Sequence, residues 1–107
     1  SPEDRLMILI KCQFLKNACS IDTGNFANLN EQKFAIVRKK GCFEIYIEAN
    51  KFKSLMAENN INNYKKLLRQ LRSKGILLSE SDRFVSDVKI SKALNLNVKC
   101  YRFRIDG

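Results

Sequence analysis

The sequence predicts an α+β fold, and three observations carry that prediction. The stretch Asn62–Gly75, NNYKKLLRQLRSKG, places Tyr64, Leu67, Leu68 and Leu71 at i, i+3, i+4 and i+7, the apolar stripe of one short helix. A second helical pattern, Ala49 to Glu58, ends just before it across the turn Asn59-Asn60-Ile61-Asn62. Beyond Gly75 two alternating runs, Arg83–Ile90 and Val98–Ile105, read as the strands of a long hairpin. Helix, short turn, basic helix and hairpin outline a winged helix-turn-helix, here preceded by an extra N-terminal helix and β-hairpin.

At 107 residues the chain is read as one domain, 1–107, in two parts. Residues 1–33 supply the N-terminal helix and a loop; residues 34–107 supply the hairpin, the helix-turn-helix and the wing. A hydrophobic content of 45% with one Pro and four Gly fits a packed core rather than a disordered chain. The net charge of +9 implies an acidic partner, nucleic acid first and an anionic membrane second. The charge is concentrated: residues 1–33 balance four bases against four acids, and residues 34–107, with 16 bases and 7 acids, hold the whole excess. Ser1 in place of Met is read as a tag scar or as the start of an excised domain, the second of which would imply a larger parent.

The first helix is predicted to start at Ser1, with its hydroxyl as cap, Pro2 in the first turn, and Glu3 and Asp4 at the positive end of the dipole. It runs to about Asn17. Leu6, Ile10 and Phe14 form one stripe, and Ile8, Cys12, Leu15 and Cys19 a second. A helix this apolar is read as central and packed on both sides; docking of one side on an absent neighbouring domain is the other reading. Residues 18–33 are read as a loop pinned by Ile21, Phe26 and Leu29. Phe34–Arg38 and Cys42–Ile47 form a hairpin turning at Lys39-Lys40-Gly41, with Phe43, Ile45 and Ile47 inward and Glu44 and Tyr46 outward. Arg38 and the turn lysines make a basic knob. In the helix-turn-helix, Ala49, Phe52, Leu55 and Met56 share a face, Ile61 plugs the angle, Asn62 or Asn63 caps the basic helix and Gly75 stops it. A strand at Ile76–Leu78 follows. In the wing, Phe84, Ser86, Val88 and Ile90 share one side, and Ser91–Asn97 form the tip. Tyr101, Phe103 and Ile105 point inward, and Cys100, Arg102 and Arg104 outward.

Catalytic chemistry finds little support. With no histidine, the commonest general base is absent. There is no nucleophile elbow and no phosphate-binding glycine loop. Cys12, Cys19, Cys42 and Cys100 include no closely spaced pair, so no metal or cofactor is expected, and reduced thiols fit the cytoplasm. The longest apolar run, Leu6–Ile10, is far too short to span a membrane. The acids Glu44, Glu48, Asp82 and Asp87 are read as surface residues or turn formers. Cys100 qualifies as a nucleophile only with a stabilised thiolate.

Binding chemistry is better supplied. Lys65, Lys66, Arg69, Arg72 and Lys74 lie on the non-leucine side of a segment that holds no acid. Lysine and arginine match phosphates and guanine edges, and asparagine and glutamine match adenine. The predicted contact set is Asn62, Asn63, Lys65, Lys66, Arg69, Gln70, Arg72 and Ser73 on the helix, with Lys89, Lys92, Arg102 and Arg104 on the hairpin. Asn63, Lys66 and Arg69 are the candidates for base contact; Lys65, Arg72 and the hairpin cations are assigned to phosphate. The expected partner is double-stranded DNA.

Several of these segments resemble a known family. They are Phe14-Leu15-Lys16-Asn17, the hairpin ending Phe43-Glu44-Ile45-Tyr46-Ile47, Phe52, and Leu71-Arg72-Ser73-Lys74-Gly75-Ile76-Leu77. Together they resemble the C-terminal winged-helix segment of replicative helicases carried by bacterial mobile elements, including staphylococcal cassette chromosomes, pathogenicity islands and phages. The resemblance implies an upstream ATPase in a parent helicase, and origin DNA as the ligand of Asn62–Gly75. The ATPase motifs are absent from this chain, so only the binding role carries over. Two other roles fit a winged helix: docking on the parent helicase or a loader, and dimeric transcription regulation at a palindromic operator.

Overall fold

The computed structural model describes residues 1–17, 24–80 and 82–106. Four helices, α1 (Pro2–Lys16), α2 (Asn28–Glu31), α3 (Ala49–Glu58) and α4 (Tyr64–Ser73), accompany four strands, β1 (Phe34–Lys39), β2 (Cys42–Glu48), β3 (Ser86–Ser91) and β4 (Leu96–Asp106). The strands form one antiparallel sheet in the order β1-β2-β4-β3. The N-terminal hairpin and the wing are therefore joined, through β2 and β4, which pair from Cys42↔Asp106 to Glu48↔Cys100. The fold is an α+β winged helix.

α1 begins as its sequence requires: the Asp4 amide donates to Ser1 Oγ at 3.2 Å, and Pro2 lies in the first turn. Leu6 and Ile10 are fully buried, and Phe14 packs on Phe43 with ring centroids 5.0 Å apart. The second stripe is not packed. Ile8 and Leu15 are 62% and 69% exposed, and Cys12 is also exposed, so the expectation of a helix covered on both sides is corrected. α1 lies along one edge of the core, and no described element covers its outer side. Cys19 and Ile21 fall outside the described residues. The segment read as a loop contains the one-turn helix α2, started by the Ala27 amide donating to Asn25 Oδ1 at 3.0 Å. Leu29 in it is fully buried.

β1 and β2 turn at Lys40-Gly41, where Gly41 has φ 78°. Ile45 and Ile47 enter the main core together with Phe34 and Ile36. The opposite face is not left to solvent, contrary to the outward placement of Tyr46 and Cys100. Both are buried there in a second cluster with Leu29 and Ala35, against Phe26, Val88, Ile90 and Val98. Strand alternation assigns residues to two faces but does not say how many faces are covered. Here the α2 segment covers part of the second one, with Phe26 edge-on to Tyr46 at 5.0 Å.

β2 passes directly into α3, whose Lys51 amide donates to Glu48 Oε2 at 2.9 Å. Glu48 is thus a helix cap and not a plain surface acid. Phe52 is the hub of the main core: its ring lies 4.2 Å from Tyr101, 5.6 Å from Tyr64 and 5.8 Å from Phe103. It thereby ties α3 to both α4 and β4. Ile61 is 8% exposed in the α3–α4 turn, and Asn60 there has φ 56°.

Candidate nucleic-acid interface

α4 is docked by Leu67, Leu68 and Leu71, all buried, and ends at Gly75 with φ 74°. Its start differs from expectation. Asn63 occupies the cap position, but no side chain caps the helix. The first-turn N–H groups remain open to solvent or to an anion. On the outer side Asn62, Asn63, Lys65, Lys66, Arg69, Gln70 and Ser73 are all exposed. Ser73 Oγ donates back to the Arg69 carbonyl at 3.1 Å. The side-chain cations of Lys65, Lys66 and Arg69 have no hydrogen-bond or ion-pair partner among the described residues.

Two polar contacts fix α4 against α1. Lys74 pairs with Glu3 at 2.8 Å, and Arg5 donates to the Asn59 carbonyl in the turn before α4, also at 2.8 Å. Glu3 and Arg5 belonged to no predicted site. A groove between the start of α1 and the first turns of α4 is lined by Arg5, Asn62, Asn63, Lys66 and Gln70. The structure thus brings Asn62, Asn63, Lys66 and Gln70 together along one wall, and leaves Lys65 and Arg69 outside it.

The remaining arginines are placed differently. Arg72 is half-buried: it donates to the Arg83 carbonyl at 3.0 Å and the Glu80 carbonyl at 3.4 Å, and lies over the Phe84 ring at 4.9 Å. These contacts hold residues 83–85 against α4. Consequently β3 begins at Ser86 and not at Arg83, and Phe84 packs on the main core while Val88 and Ile90 pack on the second face. Arg102 pairs with Glu44 at 2.7 Å and lies over the Tyr46 ring at 5.1 Å, and Tyr46 Oη donates to Glu44 at 2.9 Å. Burial alone would raise the Glu44 pKa. Hydrogen bonds from Arg102 and Tyr46, with the charges of Arg102 and Lys39, outweigh it and hold the carboxyl below its ordinary value. Glu44 is therefore half of a structural pair and not a plain surface acid. The partners move too: burial and Glu44 push the Tyr46 hydroxyl up to about 12, and Arg102 is raised despite its own burial.

Beyond Gly75 the expected strand Ile76–Leu78 is a single bridge, Leu77↔Phe103. It is framed by Leu78 N–H donating to the Arg102 carbonyl at 2.9 Å and Arg104 N–H donating to the Ile76 carbonyl at 2.8 Å. The wing's tip is tighter than expected, a turn over Lys92–Asn95, and β4 starts at Leu96. Lys89, Lys92 and Arg104 are exposed, with Arg104 3.5 Å from Asp106 and Lys89 donating to Asn95 Oδ1 at 3.1 Å. Cys100 is fully buried, and burial pushes its thiol up to about 12, which rules it out as a nucleophile. No group of metal-ligating side chains occurs among the described residues, and none of their helices is long and apolar enough to cross a membrane.

A helix-turn-helix whose second helix turns an acid-free basic face outward, beside a β-wing, defines the winged-helix class of DNA-binding domains. The chain belongs to the Cch helix-turn-helix domain family, whose profile matches residues 13–107. No curated protein matches it. Among solved structures, its fold is shared with a chain described as "SCCmec type IV Cch - active helicase", at a TM-score of 0.67 and 21% identity over 99% of this chain. The chain spans 18% of the length of that helicase. The resemblance to winged-helix segments of mobile-element helicases therefore holds.

Proposed function

We propose that this chain binds double-stranded DNA through α4 and recognises a replication origin, as the C-terminal part of a larger helicase acting in the cytoplasm. The observation that carries this reading is the outer face of α4. Lys65, Lys66 and Arg69 stand exposed, with no partner among the described residues, beside Asn63 and Gln70, and Asn62–Gly75 holds no acid. A helix fits the major groove, where these side chains match phosphates and base edges. Asn63, Lys66 and Arg69 are assigned to bases, and Lys65, Lys89, Lys92 and Arg104 to phosphates. Arg72 and Arg102, whose guanidinium groups are engaged within the chain, position the wing. The test is a gel shift with a duplex from the parent element's own origin. Lys66→Glu with Arg69→Glu abolishes the shift if the reading is right; unchanged binding rejects it.

A protein-docking role is favoured by one observation, the exposed Ile8 and Leu15 on α1. In this reading the outer side of α1 seats on the remainder of the parent protein, while α4 remains available to DNA. Ile8→Asp with Leu15→Asp then releases the domain from the parent without changing its affinity for duplex. If the parent's hydrodynamic behaviour is unaltered, the docking role falls.

A further inference from the structure

Two of the four exposed large hydrophobic side chains among the described residues, Leu94 at 71% and Leu96 at 43%, lie within three positions at the end of the wing. Isolated surface leucines need no explanation, but a pair at the tip of a projecting hairpin does. β2 leaves β4 at Cys100, so Leu96–Lys99 pairs only with β3. The ribbon therefore runs beyond the end of β2 for about 13 Å at the rise of an extended strand, with Val98 still packed on the second cluster and the turn beyond it.

The tip is fixed without help from the leucine side chain. Leu94 N–H donates to Ser91 Oγ at 3.2 Å, Asn95 N–H donates to the Lys92 carbonyl at 3.2 Å, and Asn95 takes the left-handed conformation at φ 50°. Lys89 braces the turn through Asn95 Oδ1. Turns of this kind favour small polar residues, so Leu94 contributes nothing to the fold that serine would not. Val88–Ile105 contains no acid; Lys92 lies in the turn and Lys99 further down the ribbon, opposite Asp87, both exposed.

An apolar point between cations matches a polymer whose surface is anionic and whose interior is stacked and apolar. We propose that Leu94 is a wedge that enters the minor groove of duplex DNA and unstacks a base step, while Lys92 and Lys99 hold the flanking phosphates. Apolar side chains inserted in this way kink duplexes, the unstacking being offset by the added contact. An anionic membrane offers similar chemistry, but so few leucines bury too little area to hold a domain there. The proposal rests on the duplex-binding reading above.

The test uses the 107-residue chain and short A·T-rich duplexes carrying 2-aminopurine at successive steps, read by fluorescence and by anisotropy. Binding of the unsubstituted chain raises the fluorescence at one step. Leu94→Ser, at an exposed position, leaves the circular dichroism unchanged, lowers affinity about tenfold and removes the fluorescence rise. Leu94→Phe restores the rise. Lys92→Ala weakens binding but keeps the rise. Tight binding with no fluorescence change, or a Leu94→Ser chain that keeps both affinity and rise, overturns the wedge and leaves the duplex-binding reading standing. Absence of any duplex binding, with or without capture on phosphatidylglycerol vesicles, overturns both.

Discussion

The outer face of α4 and the base of the wing are both rich in arginine and lysine, yet their cations have opposite surroundings. Arg69 and Arg72 lie three positions apart on one helix. Arg69 is exposed and has no partner for its guanidinium among the described residues, whereas Arg72 is held by two carbonyls and an aromatic ring. Arg104 and Arg102 differ in a related way on β4, where the Arg104 guanidinium meets, among the described residues, only the exposed Asp106 at 3.5 Å and Arg102 is locked to the half-buried Glu44 at 2.7 Å. Charge in the sequence therefore divides into charge offered to a partner and charge used to hold the frame. Periodicity does not make the division, since residues two apart on a strand or three apart on a helix share a face. It comes from what lies beside each: carbonyls and the Phe84 ring at Arg72, and Glu44 with the Tyr46 ring at Arg102.

Breaking the α4 side has the largest expected effect. Lys66→Glu with Arg69→Glu weakens duplex binding at least about a hundredfold, two charged contacts at roughly 1.5 kcal/mol each, with no change in melting temperature. Breaking the wing side does the reverse. Arg102→Ala takes the cationic partner from the half-buried Glu44 carboxylate and lowers unfolding free energy by about 2 kcal/mol in urea titrations, because only the neutral Tyr46 hydroxyl is left to donate to it. Duplex affinity of the folded fraction stays within a few-fold.

Titration separates the two regions next. Glu44 binds its proton less readily folded than unfolded, so its contribution is present above the ordinary carboxylate value of 4.5 and is lost as pH falls below it. Glu44→Gln removes that part of the acid dependence of the melting temperature. At the alkaline end the sign is opposite. Tyr46 and Cys100 keep their protons longer in the fold, so their contribution is complete below about 9 and is lost as pH rises toward 12. The smallest effect is in salt dependence. Lys65→Ala reduces the log–log slope of binding by about 0.9, one phosphate's worth, while Arg72→Ala leaves the slope unchanged.

The three longer helices were legible in the sequence because their signals are local, whereas the one-turn α2 was read as loop. The Ala49–Glu58 pattern matches α3 at both ends, and the leucine stripe locates α4 to within its frayed termini. The N-terminal hairpin follows from one glycine between two alternating runs. What the sequence did not disclose depends on distant pairings. Nothing periodic links Glu44 to Arg102, and β2 meets β4 only in the folded chain. That pairing turned two expected hairpins into one sheet and placed Tyr46 and Cys100 under a second cover. The exposed stripe of α1 was equally unreadable, since periodicity reports that a face is apolar and not whether anything lies on it. Within the site, residue types located α4's outward face, but which arginines are spent internally emerged only from the carbonyls and carboxylate around them.

The pairing of β2 with β4 also sets an order of events. β4 carries Tyr101 and Phe103, the floor on which Phe52 seats α3 and α4, and it is the last strand to be synthesised. Contacts across so many residues form slowly, because the intervening chain must first be closed into a loop. During translation, α4 can meet α1 and α3 early, but its core lacks Tyr101 and Phe103 until the residues around 100–106 have left the ribosome. The complete core thus closes late, and a chain broken off within β4 would present its basic helix without the Tyr101 and Phe103 side of the platform that aims it.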